Sequence, residues 1–206
     1  TRSLGLVLQI DSEDSARPFL ADFIAGVTQA ASDETWTVTI AAEPTEEKVR
    51  RTVSRLIEER KADGFILPRT LCVDPRVELL RQEDVPFVMF GRTVDPQDSA
   101  WYDIKGEDAM LEATARLAAL GHSRIAHIPG GDQYNYSHLR IDGYKAGLAD
   151  AGLPYDPKLL GKEAMTRADG ASSMRDLLNL DAPPTAVVCA VDRAALGVYQ
   201  AAQAMG

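Results

Sequence analysis

The chain has 206 residues, of which 45% are hydrophobic and 26% are charged, a composition typical of one large globular domain or two small ones. Its formal net charge of -9 predicts that this segment alone binds nucleic acid poorly, because an acidic surface repels phosphate. No apolar run reaches the roughly 18 residues that a membrane span needs, so we expect no membrane association. Cys72 and Cys189 lie far apart in the sequence and form no zinc or redox spacing, which predicts two reduced thiols.

Short apolar runs alternate with longer amphipathic stretches along the chain. Several of the short runs are continuously apolar, which is typical of strands that are buried on both faces of a parallel sheet. The alternation therefore predicts a doubly wound α/β architecture. The predicted strands are Leu4–Ile10, Trp36–Ala41, Gly64–Leu67, Pro86–Phe90, Arg124–Ile128, Leu159–Ala164 and Thr185–Ala190.

The helices between these strands are predicted from residues that favour helix ends. Pro18 is suited to the first position of a helix, and Thr45 is suited to cap the next one. Gly121 and Gly152 each follow an amphipathic stretch, where glycine commonly ends a helix. The last predicted helix begins near Asp192.

The polar loop Thr93–Ala100 separates two sets of strand–helix units. The segment Trp101–Ile104 leads into the second set, so we predict two lobes, residues 1–102 and 103–206. The chain ends on Ala204-Met205-Gly206, where a helix would lead to a further strand, and we therefore expect the second lobe to be incomplete.

Motifs of catalysis and metal binding are missing from the sequence. It contains no GxGxxG after a strand, no phosphate-binding P-loop, no HExxH and no GxSxG. His122, His127 and His138 lack the spacing of metal ligands, and structural or surface roles explain them more simply. We therefore predict that the chain is not an enzyme and holds neither a metal nor a cofactor.

Polar and aromatic residues follow the predicted strands, at the edge where open α/β sheets bind ligands. An arginine can donate two parallel hydrogen bonds to hydroxyls or a carboxylate, and aromatic rings can cover a sugar or a base. Tyr134 and Tyr136 could instead pack within their loop, Arg140 could form a surface salt bridge, and Asp192 could cap a helix. The segments that follow strands are Asp11–Arg17 with Phe19, Pro68–Thr70, Gly91-Arg92, Asp103, Pro129–Arg140, Met165–Arg167 and Asp192.

The order and spacing of several short motifs resemble the core of the LacI/GalR family of transcription regulators. The resemblance covers nearly the whole chain. Its main motifs are Trp101-Tyr102-Asp103 with Gly106, Leu120-Gly121-His122-Ser123-Arg124-Ile125, Ile128-Pro129-Gly130 and Arg140-Ile141-Asp142-Gly143-Tyr144. Further similar segments are 62–66, 85–88, 184–188 and 192–197.

The resemblance implies an α/β, two-lobed, periplasmic-binding-protein-like (type I) fold, in which each lobe is a mostly parallel sheet flanked by helices around an effector cleft. It implies that Arg140 grips hydroxyls or polar atoms of the effector and that Asp103 lies near the cleft. Val191 departs from the polar residue of many members, and the two tyrosines replace small or basic residues of several. The predicted effector-binding residues are Phe19, Thr70, Asp103, Tyr134, Tyr136, Arg140, Met165 and Asp192.

We therefore expect the effector-binding and dimerisation core of a cytoplasmic regulator. The family implies operator DNA as a partner, bound through an N-terminal helix-turn-helix domain that these 206 residues do not contain. It also implies a homodimer, with the effector shifting the population of two lobe arrangements. A sugar or glycoside is favoured over a nucleobase, because the loop combines aromatic residues with arginine and forms no clear phosphate cradle. A periplasmic sugar-binding protein of the same fold and a small α/β enzyme remain as alternatives.

Overall fold

Strands and helices alternate in the computed structural model, which describes residues 2–10 and 18–205. The chain divides into two compact units, unit 1 (Thr1–Asp103) and unit 2 (Ile104–Gly206). Within the described ranges, no helix combines the length and the apolar character that a bilayer crossing would need.

Unit 1 is built on a parallel sheet in the strand order β2-β1-β3-β4-β5. Its strands are β1 (Ser3–Gln9), β2 (Thr37–Glu43), β3 (Gly64–Pro68), β4 (Phe87–Phe90) and β5 (Ala100–Tyr102), and its helices are α1 (Pro18–Asp33), α2 (Glu46–Glu58) and α3 (Pro75–Gln82). The predicted start of α1 at Pro18 is confirmed. The predicted cap of α2 is also confirmed, since the Thr45 hydroxyl accepts a hydrogen bond from the backbone N–H of Lys48.

The core of unit 1 lies between the sheet and two of its helices. Alternate residues of the strands point to this layer, and an apolar stripe of α2 packs against them. The buried members of the core are Val7, Val49, Val53, Leu56, Ala62, Phe65, Leu67, Val77, Leu80 and Met89.

Unit 2 has two paired parallel strands in its described residues, β6 (Ile125–Ile128) and β7 (Ala186–Cys189). Its helices are α4 (Gly106–Ala119), α5 (Asn135–Asp150), α6 (Arg167–Leu178) and α7 (Asp192–Met205). Gly121 and Gly152 lie just beyond the ends of α4 and α5 with φ of +95° and +67°, the left-handed conformation that glycine adopts most readily. Their predicted role as helix ends is therefore confirmed.

Glycines allow the helices of unit 2 to pack closely in pairs. A Cβ atom on Gly143 of α5 would lie 2.8 Å from the backbone carbonyl carbon of Glu107 in α4. One turn later, a Cβ on Gly147 would lie 2.6 Å from the carbonyl oxygen of Leu111. Real Cβ atoms do not come this close to backbone atoms, so these two positions require glycine for the observed α4–α5 contact.

Two expectations for the strands are corrected. The predicted strand Leu159–Ala164 is wrong: a 3-10 helix, Pro157–Leu159, takes up its start, and one isolated bridge joins Leu160 to His127. Pro157 fixes φ near the helical value, and Asp156 caps the turn by accepting from the N–H of Lys158. The strand β5 was not predicted, because a run of three residues is too short to show a strand pattern in the sequence.

Candidate functional site

Thr70 lies where β3 ends, at the carboxyl edge of the sheet in unit 1. Its side chain is buried, and its hydroxyl donates to the carbonyl oxygen of Phe90 over 3.2 Å. Gly91 has φ of +98°, and a Cβ there would lie 3.2 Å from the Thr70 hydroxyl oxygen. Thr70 therefore links the ends of β3 and β4 at this edge.

Asp103 and Arg92 form an ion pair at the same edge. The Arg92 Nε atom lies 3.7 Å from Asp103 Oδ2, and the two side chains are only 19% and 10% exposed. The Arg92 guanidinium also lies 5.1 Å from the ring centroid of Trp101, which is a cation–π distance. The sequence analysis predicted Asp103 as a site residue. It named Arg92 only among the residues that follow a strand, and this position after β4 is the one signal that could have identified it.

Four aromatic rings form a cluster in unit 1, in which Phe90 is the common member. The ring of Phe90 lies 5.7 Å from Phe19, 5.0 Å from Phe23 and 6.1 Å from Tyr102. Phe19 and Tyr102 are 49% and 71% exposed, so the cluster presents ring surface outward as well as filling the space beneath α1. Of the four rings, only Phe19 was predicted as a site residue, and the predicted loop 11–17 lies outside the described residues.

A buried ion pair stabilises the loop after β3. Arg76 Nη2 lies 2.6 Å from Asp74 Oδ2, and the same nitrogen donates to the carbonyl oxygen of Pro68 over 3.1 Å. Burial works to raise the pKa of Asp74, but the Arg76 guanidinium and the backbone N–H groups of Leu71 and Arg76 together hold it below its usual value. The pair therefore fixes the chain that leads from β3 through Thr70 into α3.

Arg140 and two tyrosines lie together in unit 2, where β6 leads through a loop into α5. The rings of Tyr134 and Tyr136 stack with their centroids 5.4 Å apart. The guanidinium carbon of Arg140 lies 4.8 Å from the Tyr136 centroid, and Arg140 Nη1 donates to the carbonyl oxygen of Ala190 at the end of β7. The loop packing that the sequence left open for the tyrosines is therefore present, and the surface salt bridge considered for Arg140 is replaced by these contacts.

Met165 joins this group through its sulfur atom. The Met165 Sδ atom accepts from the backbone N–H of Gly131 over 3.2 Å and from the Tyr136 hydroxyl over 3.5 Å. Asp192 begins α7, where its carboxylate accepts from the N–H of Arg193 over 2.7 Å. The contacts of Met165 connect it with the loop. The contact of Asp192 is local to its helix, but Asp192 is the first helical residue of α7 and not the cap that precedes it.

His127 lies on β6 in the core of unit 2. Its side chain is fully buried on β6, its ring stacks on Tyr144 at 5.2 Å, and its Nδ1 atom lies 3.1 Å from the carbonyl oxygen of Val188. Burial lowers the pKa of His127 to about 4, and the positive charge of Arg140 acts in the same direction. His127 is therefore a neutral imidazole near pH 7.

The predicted residues thus fall into two sets, one in each unit. Phe19, Thr70 and Asp103 all lie at or against the ends of β3, β4 and β5. Tyr134, Tyr136, Arg140 and Met165 are connected by direct contacts in unit 2. Among residues 2–10 and 18–205, no three histidine, cysteine, aspartate or glutamate side chains are grouped so that they could hold a metal ion.

Comparison with known proteins gives a consistent family. A family profile described as periplasmic binding proteins and sugar binding domain of LacI family matches residues 1–206. The chain is 32% identical over 205 residues to the HTH-type transcriptional regulator AglR of Rhizobium meliloti, covering 99% of this chain and 57% of that protein. It is 35% identical over 152 residues to the HTH-type transcriptional regulator RafR of Escherichia coli, covering 74% of this chain and 45% of that protein.

A similar solved structure is that of the transcriptional regulator CelR in complex with cellobiose. It has a TM-score of 0.92 and 28% identity, and the match covers 100% of this chain and 64% of that one. The chain spans about half the length of the regulators AglR and RafR, since the matches cover 57% and 45% of those proteins. Those relatives are named as transcription regulators and not as enzymes.

Proposed function

The chain belongs to the family of periplasmic binding proteins and sugar-binding domains of LacI type, and we propose that it is the effector-binding core of a transcription regulator that recognises a sugar or glycoside. The regulator half of this proposal is supported by the names of its relatives, which are HTH-type regulators. The sugar half is supported by the cellobiose bound to a structure of the same fold.

The observation that carries the proposal is the group formed by Arg140, Tyr134, Tyr136 and Met165. An arginine has five N–H donors in a planar fork, and the observed contacts of Arg140 use one of them, on Ala190. The remaining Nη donors match pairs of neighbouring hydroxyls on a sugar ring. Because the guanidinium rests on the ring of Tyr136, its plane is fixed before a ligand arrives, which reduces the entropy lost on binding.

The aromatic cluster of unit 1 and the Arg92–Asp103 pair complete the proposed effector-binding residues. Phe19 and Tyr102 offer exposed ring faces, and Asp103 offers a carboxylate that accepts from hydroxyls. We assign Phe19, Thr70, Asp103, Tyr134, Tyr136, Arg140, Met165 and Asp192 to effector binding. Thr70 and Asp192 act mainly by fixing the strand end and helix start on which the others depend.

The proposed regulator works by population shift. An effector that binds one arrangement of the two units more tightly raises its population, and the altered arrangement changes operator binding by a helix-turn-helix domain of the whole protein. The proposal includes a homodimer, since such domains read two half-sites. It also places the protein in the cytoplasm, where operator DNA is found.

A thermal-shift screen against mono- and disaccharides, glycosides, sugar phosphates and nucleosides tests the proposal. We expect at least one sugar to stabilise the protein, and Arg140→Ala to weaken its binding about tenfold to a hundredfold, because hydrogen bonds from a charged donor are lost. Arg116→Ala, at an exposed arginine of α4, is the matched control and should leave affinity within about twofold. Equal binding by wild type and Arg140→Ala would refute the role of Arg140.

A periplasmic sugar-binding protein is the second candidate, because the family description includes that class. The two candidates differ in their response to DNA. A gel-shift assay of the whole protein on its own upstream region should show binding that the stabilising sugar changes. No binding to that DNA, together with tight sugar binding, would favour the periplasmic candidate.

A further inference from the structure

The hydrogen-bonding state of His127 is fixed by its surroundings. A carbonyl oxygen can only accept, so the contact with Val188 requires the hydrogen to be on Nδ1. In a neutral ring the Nε2 atom then carries a lone pair and acts as an acceptor. Nε2 is buried and has no hydrogen-bond partner within the part of the protein that the structure describes.

Two further buried polar atoms lie on the adjoining helix α5. Arg140 Nε is a donor, and Ser137 Oγ, one turn earlier, can donate and accept; neither has a hydrogen-bond partner among the described residues. The carbonyls that bind His127 and Arg140 belong to Val188 and Ala190, which are two residues apart and thus roughly 7 Å apart along extended chain. His127 stacks on Tyr144 of α5, and Ser137, Arg140 and Tyr144 follow one another at i, i+3 and i+7 along one face of that helix, so the three unpartnered atoms belong to side chains on the β6–α5 contact.

Three unpartnered buried polar atoms on one strand and its adjoining helix are unusual, because the large majority of buried polar side-chain atoms are hydrogen-bonded to protein or water. Their chemistry is complementary, with an acceptor on His127, a donor on Arg140 and a hydroxyl on Ser137. An internal water typically makes two to four hydrogen bonds to such groups, roughly three on average. These three hydrogen-bonding groups therefore suit a water molecule between β6 and α5.

We propose that His127 is a positioning residue for Arg140, and that its Nε2 atom, together with Ser137 Oγ and Arg140 Nε, binds one internal water. The water accepts from Arg140 Nε–H and donates to His127 Nε2. The guanidinium is thus fixed by a hydrogen bond at its Nε atom and by stacking on the ring of Tyr136. The water site does not depend on the proposed function. Its effect on ligand affinity rests on that function, because it requires Arg140 to bind the effector.

Nuclear magnetic resonance of the ligand-free protein tests the site directly. The Arg140 Nε–H signal, assigned by its loss in Arg140→Lys, should exchange slowly with solvent and show a cross-peak to a long-lived water. His127→Phe keeps a ring for stacking on Tyr144 but removes the acceptor, and should speed this exchange at least about tenfold. His127→Gln retains an acceptor and should stay within about threefold of wild type.

The same variants separate the positioning role from the proposed function. With a sugar found in the screen, we expect His127→Phe to bind about tenfold more weakly and His127→Gln to bind within about threefold of wild type. If no sugar binds the wild type, the proposed function fails, but the exchange measurement still decides the water site. Ser137→Ala provides a second test should His127→Phe fail to fold. Unchanged Arg140 exchange in Ser137→Ala, or in folded His127→Phe, would overturn the proposal.

Discussion

Replacing Gly143 with alanine should destabilise the protein, although alanine is the better helix former. Alanine gains about 1 kcal/mol over glycine in a helix interior when nothing obstructs it. At Gly143, however, the added methyl group would lie 2.8 Å from the carbonyl carbon and 2.9 Å from the Cα atom of Glu107. These are backbone atoms of α4, which cannot rotate away as a flexible side chain would.

The magnitude follows from the displacement that the methyl group requires. Carbon atoms in contact lie about 3.5–4.0 Å apart, so α4 and α5 must separate by the order of 1 Å. Overpacking of this kind typically costs about 1–3 kcal/mol, and it exceeds the gain in helix propensity. We therefore expect Gly143→Ala to lower the free energy of unfolding by about 2 kcal/mol.

Urea unfolding followed by circular dichroism at 222 nm measures this change. Gly26→Ala is the matched control, because Gly26 is an exposed residue in the interior of α1 and a Cβ there would meet nothing within 4 Å. The control should raise the free energy of unfolding by about 0.5–1 kcal/mol. Stabilisation of similar size by both substitutions would refute the claim that α4 and α5 pack through glycine.

Three further predictions concern other elements. Asp74→Asn should lower the free energy of unfolding by about 3–5 kcal/mol, because it leaves Arg76 buried without its counter-ion. Thr166→Ala should lower it by about 0.5–2 kcal/mol, because Thr166 and Asp169 form a capping box at the start of α6. The pKa of His127 is about 4 in the folded protein against 6.5 ordinarily, so its contribution to stability is fully present above pH 6.5 and is lost as the pH falls toward 4. That loss should be on the order of 3 kcal/mol.

Each of these predictions has a control or an outcome that would contradict it. Glu47→Gln removes an exposed i,i+4 pair with Arg51 and should leave stability close to that of wild type, so an equal effect at Asp74 would contradict the argument from burial. A stable Thr166→Ala protein with unchanged urea midpoint would contradict the capping argument. His127→Gln should remove part of the pH dependence between pH 6.5 and 4, and an unchanged profile would show that other groups cause it.

Much of the fold could be predicted because several of its strands, among them β1, β3 and β6, are buried along most of their length. Continuous apolar runs such as Gly64–Leu67 are typical of strands in a parallel sheet, and helix ends carry specific residues such as Thr45 and Gly121. The segment 159–164 misled the prediction, because its composition resembles a strand while Pro157 starts a helical turn. The pattern of apolar residues in this segment does not distinguish a strand from a helical turn followed by irregular chain.

The candidate site was predictable in its residue types but not in its contacts. Arg140, Tyr134 and Tyr136 were identified from their place after a strand, and the structure adds that they stack on one another. Nothing in the sequence indicates that His127 lies near Arg140, because that relation depends on how α5 crosses β6. The Asp74–Arg76 pair was also missed, since nothing in the sequence marks two charged residues near a helix start as buried.

Methyl spectra of the methionines test sugar binding at the Arg140 group most directly. The chain has 5 methionines, and Met165 contacts Gly131 and Tyr136 in that group, whereas Met89 and Met174 lie in the cores of the two units. We predict that a sugar that stabilises the protein shifts the Met165 methyl signal saturably, with little change at Met89 and Met174. A stabilising sugar that leaves the Met165 signal unmoved would contradict the proposed site.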